Sequence, residues 1–201
     1  MDNPFSLEGK NVLITGAASG IGRATAKECA NMGATLVLMD LNAAGLDALK
    51  AQIGDETLLT FALNFTDYEL LCNTIAQLPK LDGVFSNAGI VKSLMAKFSG
   101  KEDMEKIFNV NTFSHINLVQ QLVAQKKLNK GASIVLTSSM SGVYAGLVGG
   151  SLYGATKAAI AGYTKALAIE LAPRGIRVNT IHPGMIETPL TKGTALSQDV
   201  L

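Results

Sequence analysis

Tyr153 and Lys157 are the two residues whose types and spacing could move a proton. Reducing a ketone requires a proton for the nascent alkoxide, and side chains four positions apart share one face of a helix. Acid–base work near neutral pH needs a tyrosine pKa about 3 units below its usual value of about 10, which is roughly 4 kcal/mol. A cation about 4 Å away at an effective dielectric of about 20 contributes about 4 kcal/mol. Because this pair is also common on exposed helices, it does not identify a site alone.

A glycine-rich turn near the start of the chain could hold a phosphate group. After the strand-like run at residues 11–15 come three glycines with a small and an apolar neighbour: Gly16, Ser19, Gly20, Ile21 and Gly22. Glycines let the backbone approach a pyrophosphate, and the helix that follows offers unpaired N–H groups and a partial positive charge. The spacing GxxxGxG differs from the GxGxxG of the best-known dinucleotide fold. A plain turn between strand and helix is the alternative.

Asp40 closes the second strand-like run. An acid at this place can accept hydrogen bonds from the ribose hydroxyls of NAD, and it would repel the 2′-phosphate of NADP. Residues Ala17, Ala18 and Ser19 include no arginine or lysine that could offset the repulsion. We therefore expect NAD in preference to NADP, and the alternative is a solvated acid that caps the next helix.

Short apolar runs alternate with longer helix-periodic runs along the chain. The strand-like runs are residues 11–15, 35–39, 58–63, 83–86, 133–137 and 177–181, and the helix-like runs are 21–32, 43–52, 68–78, 101–126 and 152–171. This order predicts an α/β fold, a Rossmann-like doubly wound parallel sheet of six strands with helices on both faces. We expect one domain over residues 1–201, with Pro173 and Gly175 ending the last long helix.

The composition argues against several classes of protein. The chain of 201 residues is 48% hydrophobic and 16% charged, with a formal net charge of +1, which is typical of a globular domain. It has no basic run for nucleic acid or anionic lipid and no apolar stretch long enough for a membrane span. The N-terminal residues lack a targeting signal, so we expect a cytoplasmic location.

The cysteines and histidines give no sign of a metal site. Cys29 and Cys72 are expected to be reduced packing residues, because the chain has no CxxC motif and no Cys/His cluster. His115 and His182 have no carboxylate or cysteine partner at ligand spacing, so both are interpreted as structural.

The motifs, taken together and in order, resemble those of the short-chain dehydrogenase/reductase family over essentially the whole chain. They are Thr15-Gly16 with Gly20-Ile21-Gly22, Asn87-Ala88-Gly89, Asn111, Ser139, Tyr153 with Lys157, and Pro183-Gly184. Each motif is weak alone, but the full ordered set is specific. The pattern is closest in style to 3-oxoacyl-[acyl-carrier-protein] reductases, although the same motifs serve sugars, polyols and steroids.

The resemblance implies catalytic roles for four residues. Tyr153 would be the acid or base, Lys157 its partner, and Asn111 the helix residue that holds a water beside the lysine. Ser139 would hydrogen-bond the substrate oxygen and stabilise developing charge. Its neighbours Ser138 and Ser141 are alternatives, but only Ser139 has a glycine three positions later, as in the family's Ser-x-x-Gly pattern.

The resemblance also implies further contacts with the cofactor. Asn64 stands where the family usually carries an aspartate that contacts the adenine amino group, and its side-chain oxygen could accept the same bond. The segment of Asn87, Ala88 and Gly89 would lie against the adenosine ribose. The nicotinamide would be received by the segment that contains Pro183, Gly184, Ile186 and Thr188.

By this resemblance the expected function is hydride transfer between NAD(H) and a small-molecule secondary alcohol or ketone. The alternative is a non-catalytic NAD-binding sensor or scaffold, which would usually have lost the tyrosine, lysine or serine. Family members pair through the helices that correspond to residues 101–126 and 152–171, so a homodimer or homotetramer is expected. They also continue past the Pro-Gly segment with a substrate lid and a seventh strand, so either the natural chain extends beyond Leu201 or this sequence is a partial chain. A chain complete at Leu201 would be poorly stable and weakly active.

Overall fold

Six parallel strands form the central sheet of the computed structural model, which describes residues 3–55 and 57–192. The strands are β1 (Asn11–Thr15), β2 (Thr35–Asp40), β3 (Leu59–Ala62), β4 (Leu81–Ser86), β5 (Leu128–Thr137) and β6 (Arg177–Ile181). They lie side by side in the order β3-β2-β1-β4-β5-β6, and every neighbouring pair is parallel. The prediction of a six-stranded, doubly wound Rossmann-like fold is confirmed.

Helices connect the strands and cover the sheet. They are α1 (Gly20–Asn31), α2 (Ala43–Ile53), α3 (Tyr68–Gln77), α4 (Lys101–Phe108), α5 (Ser114–Ala124), α6 (Ser151–Leu171) and a short α7 (Pro189–Lys192). After α6 a 3₁₀ turn, Ala172–Arg174, leads to Gly175 with φ of 68°, which ends the helical run as the sequence predicted. None of the helices in the described ranges combines the length and the apolarity that crossing a bilayer requires.

The alternation of side chains along β1 divides the core into two layers. Leu13 belongs to a cluster with residues of α3, α5 and α6, whereas Val12 and Ile14 belong to a cluster with residues of α1 and α2. All three side chains are buried. Because successive side chains of a strand point to opposite faces, β1 needs apolar residues at every position when helices cover both faces.

The strand order reverses between β1 and β4, its neighbour on the other side. The connections from β1 and β4 leave the carboxyl edge of the sheet in opposite directions, so a crevice opens between them. Ligands of open parallel α/β sheets bind in such a crevice, which directs attention to the residues that follow β1 and β4.

The prediction of a single continuous α-helix over residues 101–126 is wrong. The segment forms two α-helices, α4 and α5, joined by one π-helical turn, Asn109–Phe113. A π turn inserts one extra residue without breaking the run of helical backbone, so apolar periodicity over a long segment does not reveal it. Its consequence is local: Asn111 and Thr112 become buried against α6.

The start of β5 also differs from the prediction. The strand begins at Leu128 and not at residue 133, because Leu128 pairs with Leu81 before a register irregularity, after which Ser133 pairs with Gly83. The polar residues between these two pairs hide the early part of the strand from a search for apolar runs. No strand follows β6 as far as residue 192, and residues 193–201, which the predicted lid and seventh strand concern, lie outside the described ranges.

Candidate active site

A cleft of about 740 Å³ lies at the carboxyl edge of the sheet, over the reversal in strand order. It is lined by almost all the residues that the sequence singled out: Gly16, Ser19, Gly20, Ile21, Asp40, Asn64, Asn87, Ala88, Gly89, Ser139, Tyr153, Lys157, Pro183, Gly184, Ile186 and Thr188. Gly22 and Asn111 lie behind this lining. The volume falls within the range of small-molecule and cofactor sites.

Close backbone packing explains the glycines between β1 and α1. A Cβ atom on Gly22 would stand 2.1 Å from the carbonyl oxygen of Gly16, and one on Gly16 would stand 2.9 Å from the Cα atom of Ala88. Gly16 also has φ of 67°, in the left-handed region that side chains disfavour. The turn is therefore folded tightly against the end of β4, and its backbone is left open to the cleft.

The N-terminus of α1 points a set of backbone N–H groups at the cleft. Ser19 is the N-cap of α1, and within the described residues its side chain makes no capping hydrogen bond. The first turn of the helix carries no acidic residue. A helix start of this kind favours an anion such as a pyrophosphate. The turn that contains Gly16, Gly20 and Gly22, the glycine cradle, therefore fits a dinucleotide.

Asp40 presents its carboxylate to the cleft from the end of β2. One oxygen accepts a hydrogen bond from the backbone N–H of Ala18 (3.0 Å) and the other accepts from the N–H of Asn42 (2.9 Å). The cap of α2 is Asn42, whose side chain accepts from Gly45, so the alternative role of Asp40 as helix cap is not what the structure has.

A cation that the sequence search missed stands near the same place. The guanidinium of Arg23 reaches back along α1 and donates a hydrogen bond to the carbonyl of Ala18 (3.1 Å). The search for a basic residue covered only positions 17–19, whereas Arg23 comes one helical turn later. The backbone of Ala18 thus donates its N–H to the carboxylate of Asp40 and accepts from the guanidinium of Arg23 at its carbonyl.

Tyr153 and Lys157 lie on the first turns of α6 and line the cleft together. The Lys157 ammonium stands 5.9 Å from the centre of the Tyr153 ring and donates a hydrogen bond to the carbonyl of Thr137 at the end of β5 (2.9 Å). Lys157 is 3% exposed, so a long charged side chain is held almost wholly out of water. The two side chains therefore lie together at the cleft and not on an exposed helix face, and β5 orients the ammonium of Lys157. Their catalytic role stays a prediction.

Burial acts on the two pKa values in the same sense, against the charged form. It lowers the pKa of Lys157 to about 8. It raises the pKa of the Tyr153 hydroxyl above its usual value, and a hydrogen bond with the Ser139 side chain only opposes this rise. The sequence analysis expected a lowered tyrosine pKa, which differs from this finding. Burial destabilises the phenolate by more than the hydrogen bond with Ser139 stabilises it.

Ser139 is the serine of the three candidates that faces Tyr153. The Ser138 hydroxyl donates instead to the carbonyl of Lys157 (2.7 Å), and Ser141 donates its backbone N–H to the Ser139 hydroxyl oxygen (3.1 Å). His182 adds a further contact, because its Nδ1 lies 3.2 Å from the Ser139 carbonyl, which can only accept. Of the three hydroxyls, that of Ser139 is the one beside the Tyr153 hydroxyl, and its bond to a substrate oxygen stays a prediction.

Asn111 lies behind the cleft, fully buried in the π turn. Its side-chain oxygen accepts from the N–H of Ile90 and its amide donates to the carbonyl of the same residue, both at 2.8 Å. It therefore holds the segment that follows β4, and both ends of its amide are occupied. The water-holding role that the resemblance implies stays a prediction, and its alternative as a polar surface residue does not fit the burial.

Asn64 is engaged differently from the expectation. Its side-chain oxygen accepts hydrogen bonds from the backbone N–H of Thr66 (3.1 Å) and from the Thr66 hydroxyl (2.9 Å). An amide oxygen has two lone pairs, so this turn uses both. The predicted bond to an adenine amino group has no acceptor left on this oxygen, although Asn64 and Thr66 do line the cleft.

The segment after β6 closes one side of the cleft. Pro183 accepts a hydrogen bond at its carbonyl from Met140, and a Cβ atom on Gly20 would stand 3.3 Å from the side chain of Thr188. The segment with Gly184 and Ile186 is thus held between the glycine turn and the loop after β5, and its role in receiving the nicotinamide stays a prediction.

Two threonines at strand ends hold the segment after β4; the sequence analysis named Thr15 in a motif without giving it a contact, and it did not single out Thr137. The Thr15 hydroxyl accepts from the backbone N–H groups of Asn87 (2.9 Å) and Ala88 (3.1 Å), and the Thr137 hydroxyl donates to the Asn87 side-chain oxygen (3.1 Å). Both threonines are buried polar residues in otherwise apolar strands. That break in the pattern is the signal that could have pointed to them.

The two cysteines are placed as packing residues, and His115 has a structural environment. Cys29 and Cys72 are free and half-buried, and His115 is buried beneath Ala88. Over residues 3–55 and 57–192, no three His, Cys, Asp or Glu side chains are grouped as metal ligands would be.

Comparison with known proteins identifies relatives of both sequence and fold. The family model described as short chain dehydrogenase matches residues 10–199. A 3-oxoacyl-[acyl-carrier-protein] reductase of Thermotoga maritima is 39% identical over 192 residues, which cover 92% of this chain and 78% of that protein. The chain thus spans about three quarters of that relative's length.

Two solved structures are similar throughout the described fold. The 3-ketoacyl-(acyl-carrier-protein) reductase of Brucella melitensis complexed with NADH is 32% identical, with a TM-score of 0.84 over 93% of this chain and 80% of that chain. A short chain dehydrogenase of Burkholderia cenocepacia in complex with NADP is 33% identical, with a TM-score of 0.85 over 92% of this chain and 77% of that chain.

Proposed function

The chain belongs to the short-chain dehydrogenase family, and we propose that it transfers a hydride between NAD(H) and a secondary alcohol or ketone, with Tyr153 as acid or base. Family membership makes it an NAD(P)-dependent oxidoreductase that acts on CH–OH or C=O groups. The observation that carries the finer proposal is one continuous cleft, lined at one side by the glycine cradle and at the other by Ser139, Tyr153 and Lys157. These three side chains are what a non-catalytic binding protein would have lost, so that alternative is not favoured.

The side chains divide the proton chemistry of the reaction between them. When bound, a nicotinamide cofactor supplies or accepts the hydride. In reduction, the carbonyl carbon gains the hydride and its oxygen takes the proton from the Tyr153 hydroxyl, while Ser139 donates a hydrogen bond to that oxygen. In oxidation, the Tyr153 phenolate removes the proton, and the adjacent Lys157 charge stabilises the phenolate.

We propose NAD(H) as the preferred cofactor because of Asp40. Its carboxylate is held by Ala18 and Asn42 at the rim of the cleft, where it would repel a ribose 2′-phosphate. Arg23 donates one hydrogen bond to the Ala18 carbonyl and keeps its charge and its other donors, so it offsets part of this repulsion. Steady-state kinetics with NADH and NADPH test the preference, and a higher kcat/KM with NADPH would overturn it.

The substrate class is proposed from the residues that border the catalytic end of the cleft. Met140, Tyr144, Val148 and Met185 carry large apolar side chains that are 46–77% exposed, and they belong to the loops that contain Ser139 and Gly184. An exposed apolar patch beside a reactive site is typical of a binding surface for an apolar substrate. A ketone with an acyl chain, such as a 3-oxoacyl thioester, fits this border better than a sugar or polyol.

The function is tested by following NADH absorbance with a panel of 3-oxoacyl thioesters, simple ketones and sugars. Tyr153→Phe should lower kcat by about 10²–10⁴-fold, because it removes the proton donor and keeps the ring. Tyr163→Phe is the matched control on the same helix, since Tyr163 packs against the core and not into the cleft. Dinucleotide binding without turnover of any substrate would favour a sensor or scaffold.

We also propose that the protein assembles as a homodimer or homotetramer in the cytoplasm. Exposed apolar side chains on the helices that the resemblance assigns to pairing support the assembly, among them Met104, Phe113 and Ile169. Two free cysteines are in keeping with a reducing compartment.

A further inference from the structure

A buried hydrogen-bonded pair, Ser86 and His115, lies directly beneath the segment that follows β4. The Ser86 hydroxyl is 2.6 Å from Nδ1 of His115, and Nε2 of His115 is 2.7 Å from the carbonyl oxygen of Ala88. Ser86 and His115 are each 1% exposed. Neither residue reaches the cleft or takes part in the proposed proton transfer. Any role of the pair therefore acts through the backbone that His115 contacts, the carbonyl of Ala88.

The geometry determines which nitrogen of His115 carries the proton. A carbonyl oxygen can only accept, so Nε2 must carry hydrogen and donate it to Ala88. Nδ1 of the neutral ring then accepts from the Ser86 hydroxyl. Burial, together with the charge of Lys157, lowers the pKa of His115 to about 3, so the ring stays neutral and this donor is present at every ordinary pH.

Ala88 is held from two opposite sides. Its backbone N–H donates to the Thr15 hydroxyl of β1, and its carbonyl accepts from His115 of α5. The Cα atom of Ala88 faces Gly16 so closely that a Cβ atom on Gly16 would stand 2.9 Å away. A displacement of Ala88 would therefore press on the glycine cradle.

The residue after Ala88 faces the catalytic lysine. A Cβ atom on Gly89 would stand 3.5 Å from Nζ of Lys157 and 3.2 Å from the side-chain oxygen of Asn111. The position of Gly89 thus fixes one wall of the pocket around the ammonium group. His115, acting on the preceding carbonyl, and Asn111, acting on the following residue, hold this wall from below.

We propose that His115 is a positioning residue, which, together with Ser86, holds the Ala88 carbonyl so that Gly16 and Gly89 keep the spacing that dinucleotide binding and Lys157 require. The inference rests on the proposed function, because it assigns His115 a task in that same site. It places His115 outside the catalytic residues, since it touches neither the cleft nor Tyr153.

Three variants separate this role from general stability. His115→Phe keeps a planar ring but removes the donor to Ala88, and His115→Gln restores both a donor amide and an acceptor oxygen. Leu122→Val, in the fully buried part of the same helix, is the control for lost packing. Each variant is measured by NADH titration calorimetry and, without cofactor, by hydrogen exchange of the peptide that contains residues 87–90.

The expected result is a split between the variants. His115→Phe should raise the Kd for NADH about tenfold, which corresponds to one lost hydrogen bond, and should speed exchange at residues 87–90. His115→Gln should restore most of the NADH affinity and most of the protection from exchange. Leu122→Val should lower the melting temperature without changing the Kd for NADH or the exchange at residues 87–90. Equal Kd values in wild type and His115→Phe, or equal effects of His115→Phe and Leu122→Val, would overturn the proposal.

Ser86→Ala decides the question if His115→Phe does not fold. It leaves the ring in place but removes the donor to Nδ1, so exchange at residues 87–90 should still increase, to a smaller extent; no change would overturn the proposal. Failure of the proposed function is distinguishable, since it would appear in the wild type itself, either as no binding of NADH and NADPH or as binding without turnover of any substrate.

Discussion

Burial shifts the pKa values of Tyr153 and Lys157 in the cleft and of His115 beneath it. Lys157, with its pKa lowered to about 8, still carries its charge at pH 7 but loses it in mildly alkaline solution. The raised pKa of Tyr153 keeps its hydroxyl protonated, which suits a proton donor to a ketone. In the opposite direction the phenolate has to be stabilised by charge, and Lys157 together with an oxidised nicotinamide ring would provide it.

At the residue scale, the three serines after β5 should respond differently to substitution. Ser139→Ala should lower kcat by about 10²–10³-fold, because its hydroxyl is the one placed for the substrate oxygen. Ser138→Ala and Ser141→Ala should leave kcat within a few-fold of wild type and act on stability, since the Ser138 hydroxyl is bonded to the carbonyl of Lys157 in α6. Steady-state kinetics of all three variants make the comparison, and a Ser138→Ala or Ser141→Ala loss as large as that of Ser139→Ala would contradict the assignment.

His115 should make the stability of the protein fall in acid. Its pKa of about 3 in the folded protein lies below its usual value of 6.5, so the unfolded chain binds the proton first. The contribution to stability is therefore complete above pH 6.5 and is lost progressively as the pH falls towards 3. At pH 5 the loss from this residue should be about 2 kcal/mol.

Urea unfolding at pH 7.5 and pH 5 measures this effect. The free energy of unfolding of His115→Gln should fall between these pH values by about 2 kcal/mol less than that of wild type, because glutamine does not titrate. His182→Gln is the control for replacing the other histidine of the chain, which is half-buried and lies beside Tyr144, Thr180 and Ser139. An equal fall in wild type and His115→Gln would show that His115 titrates normally.

At the scale of elements, the tightest constraint lies where β1 turns into α1. Gly22→Ala would place a methyl group 2.1 Å from the Gly16 carbonyl oxygen, so α1 would have to move away from the end of β1. We expect a loss of about 3 kcal/mol and a melting temperature about 10 °C lower, together with a large loss of dinucleotide affinity. Thermal unfolding and calorimetry measure the two effects.

A second glycine provides the matched control for that substitution. Gly162 lies inside α6, where a Cβ atom would meet nothing within 4 Å among the described residues. Gly162→Ala should therefore leave cofactor binding unchanged and stabilise the protein by up to about 1 kcal/mol, because alanine favours the helix. Equal melting temperatures for Gly22→Ala and wild type would contradict the packing argument.

The π turn between α4 and α5 shows how one extra residue serves a site. It brings Asn111 under Ile90, four positions before His115 reaches Ala88 from α5. Two successive parts of one helical run therefore support the two residues on either side of Gly89. Irregular turns of this kind are frequent at functional sites, where they aim a side chain that regular geometry would direct elsewhere.

At the scale of the whole molecule, assembly should depend on the exposed apolar residues of α4 to α6. Phe113 is 51% exposed, in the π turn between two helices that the resemblance assigns to pairing. Phe113→Asp should shift the protein towards monomers in sedimentation velocity, because a charge at an interface core is costly. Leu70→Asp on α3, where Leu70 is 42% exposed, is the control that should not change the oligomeric state. A wild type that sediments as a monomer would contradict the proposed assembly.

Apolar patterning and turn chemistry were enough to predict the architecture. The apolar runs of β1 and β2 and the glycines and prolines that flank β1, β2 and β6 are local signals, so those elements lie within one residue of the prediction. The π turn at Asn109–Phe113 and the early start of β5 were not predictable from apolar patterning. Both depend on contacts with Ile90 and Leu81, which lie far away in the chain.

The sequence by itself determined which residues are available for chemistry: the glycine turn, Asp40, Ser139, Tyr153 and Lys157, in the order typical of the family. The tertiary structure alone decided what each of them contacts. It turned Ser138 towards α6, occupied the Asn64 oxygen with Thr66 and brought Arg23 back to Ala18. It also buried His115 under Ala88. The physical reason is that hydrogen-bond direction and burial depend on neighbours that only the packing of strands and helices brings together.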